Sequence, residues 1–130
     1  MAAYLSPAWF DDVNATARAD ASLPTATAGV HLVLQQVVSG GPAGDVRYWV
    51  RVDDGAVDAG PGEAPHPDAV VTQSYDTAVA VSRGALTVEG ALLAGLARLS
   101  GDIGLLVRHQ AALLCVAAAL GPVRERTTYT

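Results

Sequence analysis

The stretch "ALLAGLARLSGD", residues 91–102, decides how the chain folds. Its Leu/Ala-rich start suits a helix that stops at Gly95. The next residues alternate large apolar with small or charged ones, and Gly101 and Asp102 end the alternation before a long apolar segment begins. The pattern predicts a short strand over residues 96–100 between two apolar helices. A lone strand is not stable, so this one must join a sheet built elsewhere in the chain, and the helices beside it must cross one face of that sheet.

Working outward, Thr87 is placed to cap a helix over 88–94, Ser74 one over 75–83 that stops at Gly84, and Asp102 an apolar helix over 103–120 closed by Gly121 and Pro122. Upstream, "DAVVTQ" predicts a strand over 69–73 and "VHLVLQQVV" a β-branched strand over 29–38. "VRYWVRV" predicts a strand over 46–53, with Val46, Tyr48, Val50 and Val52 on one face and Arg47, Trp49 and Arg51 on the other. A short return strand follows over 56–59. Connections this short favour an antiparallel meander. At the start, Ser6 suits an N-cap, Pro7 the first helical position, and Leu5 a staple onto Phe10. A helix over 7–19 follows, burying Trp9, Phe10, Val13 and Ala17. The expected class is α+β: a five-stranded, mainly antiparallel sheet with helices covering one face and an apolar slot between the layers.

Composition limits what such a domain does. At 130 residues it is one domain, 51% hydrophobic but only 5% aromatic, so Ala, Val and Leu supply the apolar volume. Net charge is −5, and all eight cationic side chains are scattered arginines. No basic stripe exists to release counterions from a phosphate backbone, so nucleic acid is not an expected partner. The absence of lysine beside abundant Ala, Val, Gly and Arg points to a high-GC bacterial source. Cys115 is the single cysteine, set in "AALLCVAAAL", which predicts core filling and a reducing compartment. The first 20 residues have no basic start and no apolar h-region, so a cytoplasmic location is expected. The longest apolar run, 111–120, is about half a membrane span, and none is expected.

Residues 67–102, "PDAVVTQSYDTAVAVSRGALTVEGALLAGLARLSGD", resemble the core of the sterol carrier protein 2 (SCP2) sterol-binding domain family. The matching features are an Asp-led strand ("DAVVTQ"), a helix ending in G-x-L ("SRGAL"), a short helix ("VEGALLA") and a G-x-x-R-x-x-G-D strand ("GLARLSGD"). "VRYWVRVDDG" fits the family's second strand, so the resemblance covers about residues 29–120. Leu and Ala stand in the short helix where the family often has Phe and Met, and the family's surface lysines are missing. The resemblance implies a five-stranded sheet and a tunnel that holds sterols, fatty acids or fatty acyl chains.

On a helical projection of 103–120, Ile103, Leu106, Val107, Gln110, Leu114 and Ala117 share the face expected to press on the sheet. There a buried Gln110 amide needs a backbone partner or a polar ligand head. The candidate ligand-binding residues are Phe10, Tyr48, Val50, Val79, Leu92, Leu93, Leu106, Gln110 and Leu114. The second half of the helix is apolar all round, so its back must meet another element, a partner chain or lipid.

Catalytic machinery is hard to assemble. His31, His66 and His109 are isolated and lack metal-ligand spacing, so no metal, cofactor or catalytic group is expected. The reading that follows is non-catalytic binding or transfer of a hydrophobic small molecule. One alternative is a homo-oligomeric interaction module with a closed core, a homodimer through the back of the last helix. The other is an enzyme acting on a hydrophobic substrate in the same slot, with His31 or His109 as base. Co-purified lipid separates the first from both, and concentration-dependent mass identifies the second.

Overall fold

The computed structural model describes residues 2–42 and 44–129. Five strands form the main sheet: β2 (His31–Gly41), β3 (Gly44–Asp53), β4 (Ala56–Pro61), β5 (Ala69–Ser74) and β6 (Ala97–Gly101), in the order β4-β3-β2-β5-β6. Two-residue strands β1 (Ala2–Ala3) and β7 (Thr127–Thr128) pair in parallel and bring the two ends of the described chain together. Seven helices complete it: α1 (Pro7–Ala19), α2 (Leu23–Ala26), α3 (Tyr75–Ser82), α4 (Val88–Leu93), α5 (Ile103–Arg108), α6 (Gln110–Ala119) and α7 (Gly121–Glu125).

The strand inside "ALLAGLARLSGD" is present, one residue later than expected, and pairs antiparallel with β5. Leu96 lies outside it and is half exposed. Gly95 and Gly101 both take positive φ (74° and 98°), the backbone that stops the flanking elements. Ser6, Ser74, Thr87 and Asp102 all cap as expected, each side-chain oxygen accepting from the backbone N–H three residues on.

The meander holds only for β2, β3 and β4. β5 joins the far side of β2 and runs parallel to it, so the sheet is mixed. The reason lies on the sheet's outer face. Residues 62–68 cross three strand spacings, about 14 Å, which seven residues span easily. Gln35 on β2 holds the crossing segment: its Nε2 donates to the Tyr48 and Gly62 carbonyls (3.0 and 3.1 Å), and its Oε1 accepts from Ala64 N–H (2.7 Å). A buried amide fully satisfied by backbone in this way fixes the crossover. Asp68 closes the segment by accepting from Val33 N–H at 2.7 Å.

The inner face carries the core in two clusters. Trp9, Phe10 and Val13 of α1 meet Val38, Tyr48, Ala59, Tyr75, Ala78 and Val123 in the first. The second joins Leu23, Leu32, Val52 and Val57 to Ala112, Val116 and Ala119 of α6. Asn14 docks α1 onto the edge strand, donating to the Ala59 carbonyl (2.9 Å) and accepting from Ala59 N–H (2.7 Å), which occupies backbone groups that would otherwise be open to another chain.

The expected continuous helix over 103–120 is instead broken at His109, whose φ/ψ of −107°/21° is non-helical, and again at Leu120. Gly121 and Pro122 open α7 instead of terminating the chain's helices. No Pro or Gly adjoins His109 to announce the first break. Its consequence is that a single projection cannot describe both halves. Ala112, Val116 and Ala119 are the buried face of α6, while Gln110, Leu114, Cys115 and Ala117 are exposed. Cys115 is therefore not core filling.

Candidate functional site

Strand register arranges the inner face in lateral rows. One row runs Ala59, Val50, Leu34, Ala69, Gly101; the next runs Pro61, Tyr48, Gln36, Val71, Leu99; a third runs Val46, Val38, Gln73, Ala97. On the β3 and β4 side these rows are filled. Tyr48 sits 5.7 Å from Phe10 and 5.9 Å from Trp9 between ring centroids, Trp9 is edge-on to Tyr4 at 5.1 Å, and α1 closes the layer. Burial pushes the Tyr48 phenol up to about 12 and also raises that of Tyr4.

The β5 and β6 side differs. Val71 and Leu99 are only half-buried, as is Leu92 of α4, and none of the three belongs to either core cluster. Leu34, one row from Val71, is half-buried against the second cluster, as are Leu105, Leu106 and Leu113. α4 packs on β6, whereas α5 lies mainly along α6. The six-residue α4 thus lies beside the part of the sheet where apolar residues are least enclosed, and the six-residue α5 leads from β6 to α6. Gln36 and Gln73 are the polar members of this wall, half-buried, with Gln73 Nε2 donating weakly to Gln36 Oε1 at 3.4 Å.

The sequence-predicted site residues therefore divide. Leu92 and Leu106 are half-buried, Leu106 against the second cluster. Val50 and Val79 are partly buried against the first cluster, and Phe10 and Tyr48 are inside it, filling space. Leu93 is 90% exposed and Leu114 63%, so both face outward. Gln110 is exposed as well, its Nε2 donating to Glu89 Oε1 on α4 at 2.9 Å. These last three are displaced by the break at His109 and by the shortness of α4, which presents Leu93 at its open end. Gln36, Gln73, Val71 and Leu99 escaped sequence reasoning as site residues. The signal for Gln36 was present, since it shares the period-2 face of Leu32, Leu34 and Val38.

His31 lies on the outer-face set of β2, exposed and 2.8 Å from Asp53, and His109 occupies the helix joint. Among the described residues no group of three His, Cys, Asp or Glu side chains is arranged to hold a metal ion. Nor is any helix among them long and apolar enough to cross a membrane.

The fold recurs in known structures. Crystalline sterol carrier protein 2 superposes with a TM-score of 0.74 at 22% identity, covering 91% of this chain and 97% of that one. A Thermus thermophilus protein described as possibly a sterol carrier protein gives 0.73 at 23% identity, covering 91% and 87%. A palmitated sterol carrier protein 2-like protein from Aedes aegypti gives 0.59 at 26% identity, covering 82% and 89%. No curated protein sequence matches. The SCP-2 sterol transfer family model matches residues 10–114, spanning most of α1, the whole main sheet and half of α6. With four-fifths of its length so matched, the chain belongs to the SCP-2 sterol transfer family.

Proposed function

We propose that the protein binds and carries a hydrophobic small molecule with a fatty acyl or sterol-like body, without catalysing a reaction on it. The binding space lies between the β5–β6 half of the sheet and the roof of α4 and α5, against Leu34, Val71, Leu99, Leu92, Leu105 and Leu106. A single observation carries this reading: Val71, Leu99 and Leu92 are apolar, face the covered side and join neither core cluster. Interiors ordinarily pack densely, so a run of loosely enclosed aliphatic side chains under a helical roof fits a space for a guest. Gln36 and Gln73, whose mutual bond is weak, serve as the polar group that orients the ligand head.

The chemistry of the wall suits a carrier. It offers Leu, Val and Gln, and no acid, base or nucleophile among them. Each buried methylene contributes about 0.8 kcal/mol, so a ten-carbon chain offers roughly 8 kcal/mol before association costs, consistent with affinity in about the micromolar range at best. The palmitated Aedes aegypti relative is a further support for an acyl chain as ligand.

Native mass spectrometry of freshly purified protein, followed by titration with a fluorescent fatty acid, tests the proposal. A co-purified lipid adduct or saturable binding is expected. A bare protein mass together with no saturable binding overturns it.

A further inference from the structure

We propose that the cavity between the C-terminal end of α3 and the α7–β7 segment binds a phosphate group. This open cavity of about 380 Å³ is lined by Arg83, Arg124, Thr127 and Tyr129. A second, of about 410 Å³, shares Arg83 with it and runs along α3 past Asp76, Val79 and Ala80. Two guanidinium groups thus meet in one hollow of a chain whose net charge is −5. Neither forms an ion pair among the described residues, whereas Arg47, Arg51 and Arg126 each hold a carboxylate. Asp76 shares the second cavity with Arg83 without pairing with it, and Glu125, next to Arg124 in the chain, is exposed. Like charges drawn into one hollow repel, and an anion between them relieves the repulsion.

Separate parts of the chain place the two arginines. Arg83 is the C-cap of α3, its guanidinium 5.7 Å from the centroid of the Tyr129 ring. Tyr129 is fixed from two further sides: its ring stands 5.3 Å from that of Tyr4, and its hydroxyl is hydrogen-bonded to Ser82 Oγ at 2.6 Å. Arg124, on α7, lies over Gly84, where an added Cβ would meet Nη1 at 2.9 Å. Gly84, at a φ of 80°, therefore leaves the space in which the second guanidinium rests against the turn after α3. The Ser82 and Tyr129 hydroxyls have two protons and one mutual bond, so one proton is left to donate. Thr127 is committed to the Val123 carbonyl at 2.6 Å and supplies wall only.

A phosphate suits these donors better than a carboxylate. Each guanidinium presents a fork of N–H groups, and a phosphate monoester offers three terminal oxygens and up to two negative charges to two forks and a hydroxyl. A carboxylate has two oxygens and one charge, enough for one fork. The hollow along Val79 and Ala80 gives an organic group attached to the phosphate an apolar wall. The carbonyl end of α3 attracts cations as well, but that attraction is small at an exposed site and calls for no phenol. None of the lining residues belongs to the proposed acyl space, so the two sites are tested separately.

The experiment is a proton–nitrogen correlation NMR titration, followed on arginine Nε–H and backbone signals, with inorganic phosphate, glycerol 3-phosphate and acetate at constant ionic strength. Saturable shifts centred on Arg83, Gly84 and Arg124 are expected with the phosphates and not with acetate. Tighter glycerol 3-phosphate means that the site takes phosphomonoesters, and tighter inorganic phosphate that it takes the free ion; either supports the site. Arg83→Gln and Arg124→Gln should each weaken phosphate about tenfold, and Tyr129→Phe about threefold. Circular dichroism and fatty-acid titration of the two arginine variants should match the parent. No saturable shift with either phosphate, acetate as effective as phosphate, or undiminished phosphate binding by the folded arginine variants overturns the proposal. So does a loss of stability in both arginine variants beside a parent that binds no phosphate, which gives the pair to the carbonyl end of α3.

Discussion

The Gln110 side chain donates to the Glu89 carboxylate across 2.9 Å, joining α6 to α4 at the surface. A residue whose place on an apolar helical face suggested a buried amide is a solvent-exposed tie between two short helices. Exposed hydrogen bonds of this kind contribute little. Gln110→Ala should lower stability by no more than about 1 kcal/mol in urea unfolding. A loss of several kcal/mol would mean that the amide is buried after all.

Gly101 has the opposite standing. Its φ of 98° disfavours any side chain, and an added Cβ would lie 2.6 Å from the Asp68 carbonyl oxygen and 2.8 Å from Ala69 Cα, both backbone atoms. Gly101→Ala should therefore cost about 3 kcal/mol and detach β6 from β5. Hydrogen exchange across 97–101 reads the detachment, and an unchanged urea midpoint contradicts it.

Leu32 is almost wholly buried in the second cluster, between the sheet and α6. Leu32→Ala should destabilise by about 3 kcal/mol, through lost transfer energy and the cavity left behind. Thermal unfolding followed by circular dichroism measures it, and a cost below about 1 kcal/mol would show that the cluster repacks.

Leu106→Arg separates guest space from plain core. Leu106 is only half-buried, so a guanidinium there can reach water with its stem along the wall. The fold should survive while fluorescent fatty-acid affinity falls by about tenfold or more. An unfolded variant would mark closed core, and full binding by a folded one would place the ligand elsewhere.

Alkaline pH should unsettle the first cluster. Burial raises the Tyr48 phenol to about 12 against an ordinary value of 10.0, so folding favours the neutral form. That contribution is fully present below pH 10 and is lost as pH rises from there toward 12. Unfolding free energy should fall across that window, and Tyr48→Phe should flatten part of the decline. A parent curve that is level between pH 10 and 12 would show the phenol to be accessible.

Local chemistry accounts for what was legible in the chain itself. Caps at Ser6, Ser74, Thr87 and Asp102, the stops at Gly95 and Gly101, and the two-residue alternation of 46–52 depend on neighbours in sequence; the four helix starts and β3 follow them, and β6 comes one residue later. The class of fold followed from one strand that needed a sheet. Strand order did not: the parallel junction of β5 with β2 depends on Gln35 gripping a segment 27 to 29 residues away in sequence. Two of the candidate site residues, Gln110 and Leu114, were placed by a projection that assumes one unbroken helix over 103–120. The break at His109, with no Pro or Gly to cause it, goes with tertiary packing: Ala112, Val116 and Ala119 of α6 join the second cluster, whereas α5 has no fully buried residue. Sequence thus determined the five strands of the main sheet, the starts of its principal helices, and that one sheet face is covered. Long-range contacts alone decided which side of each roof helix faces inward, because 3.6-residue periodicity cannot choose between two apolar faces.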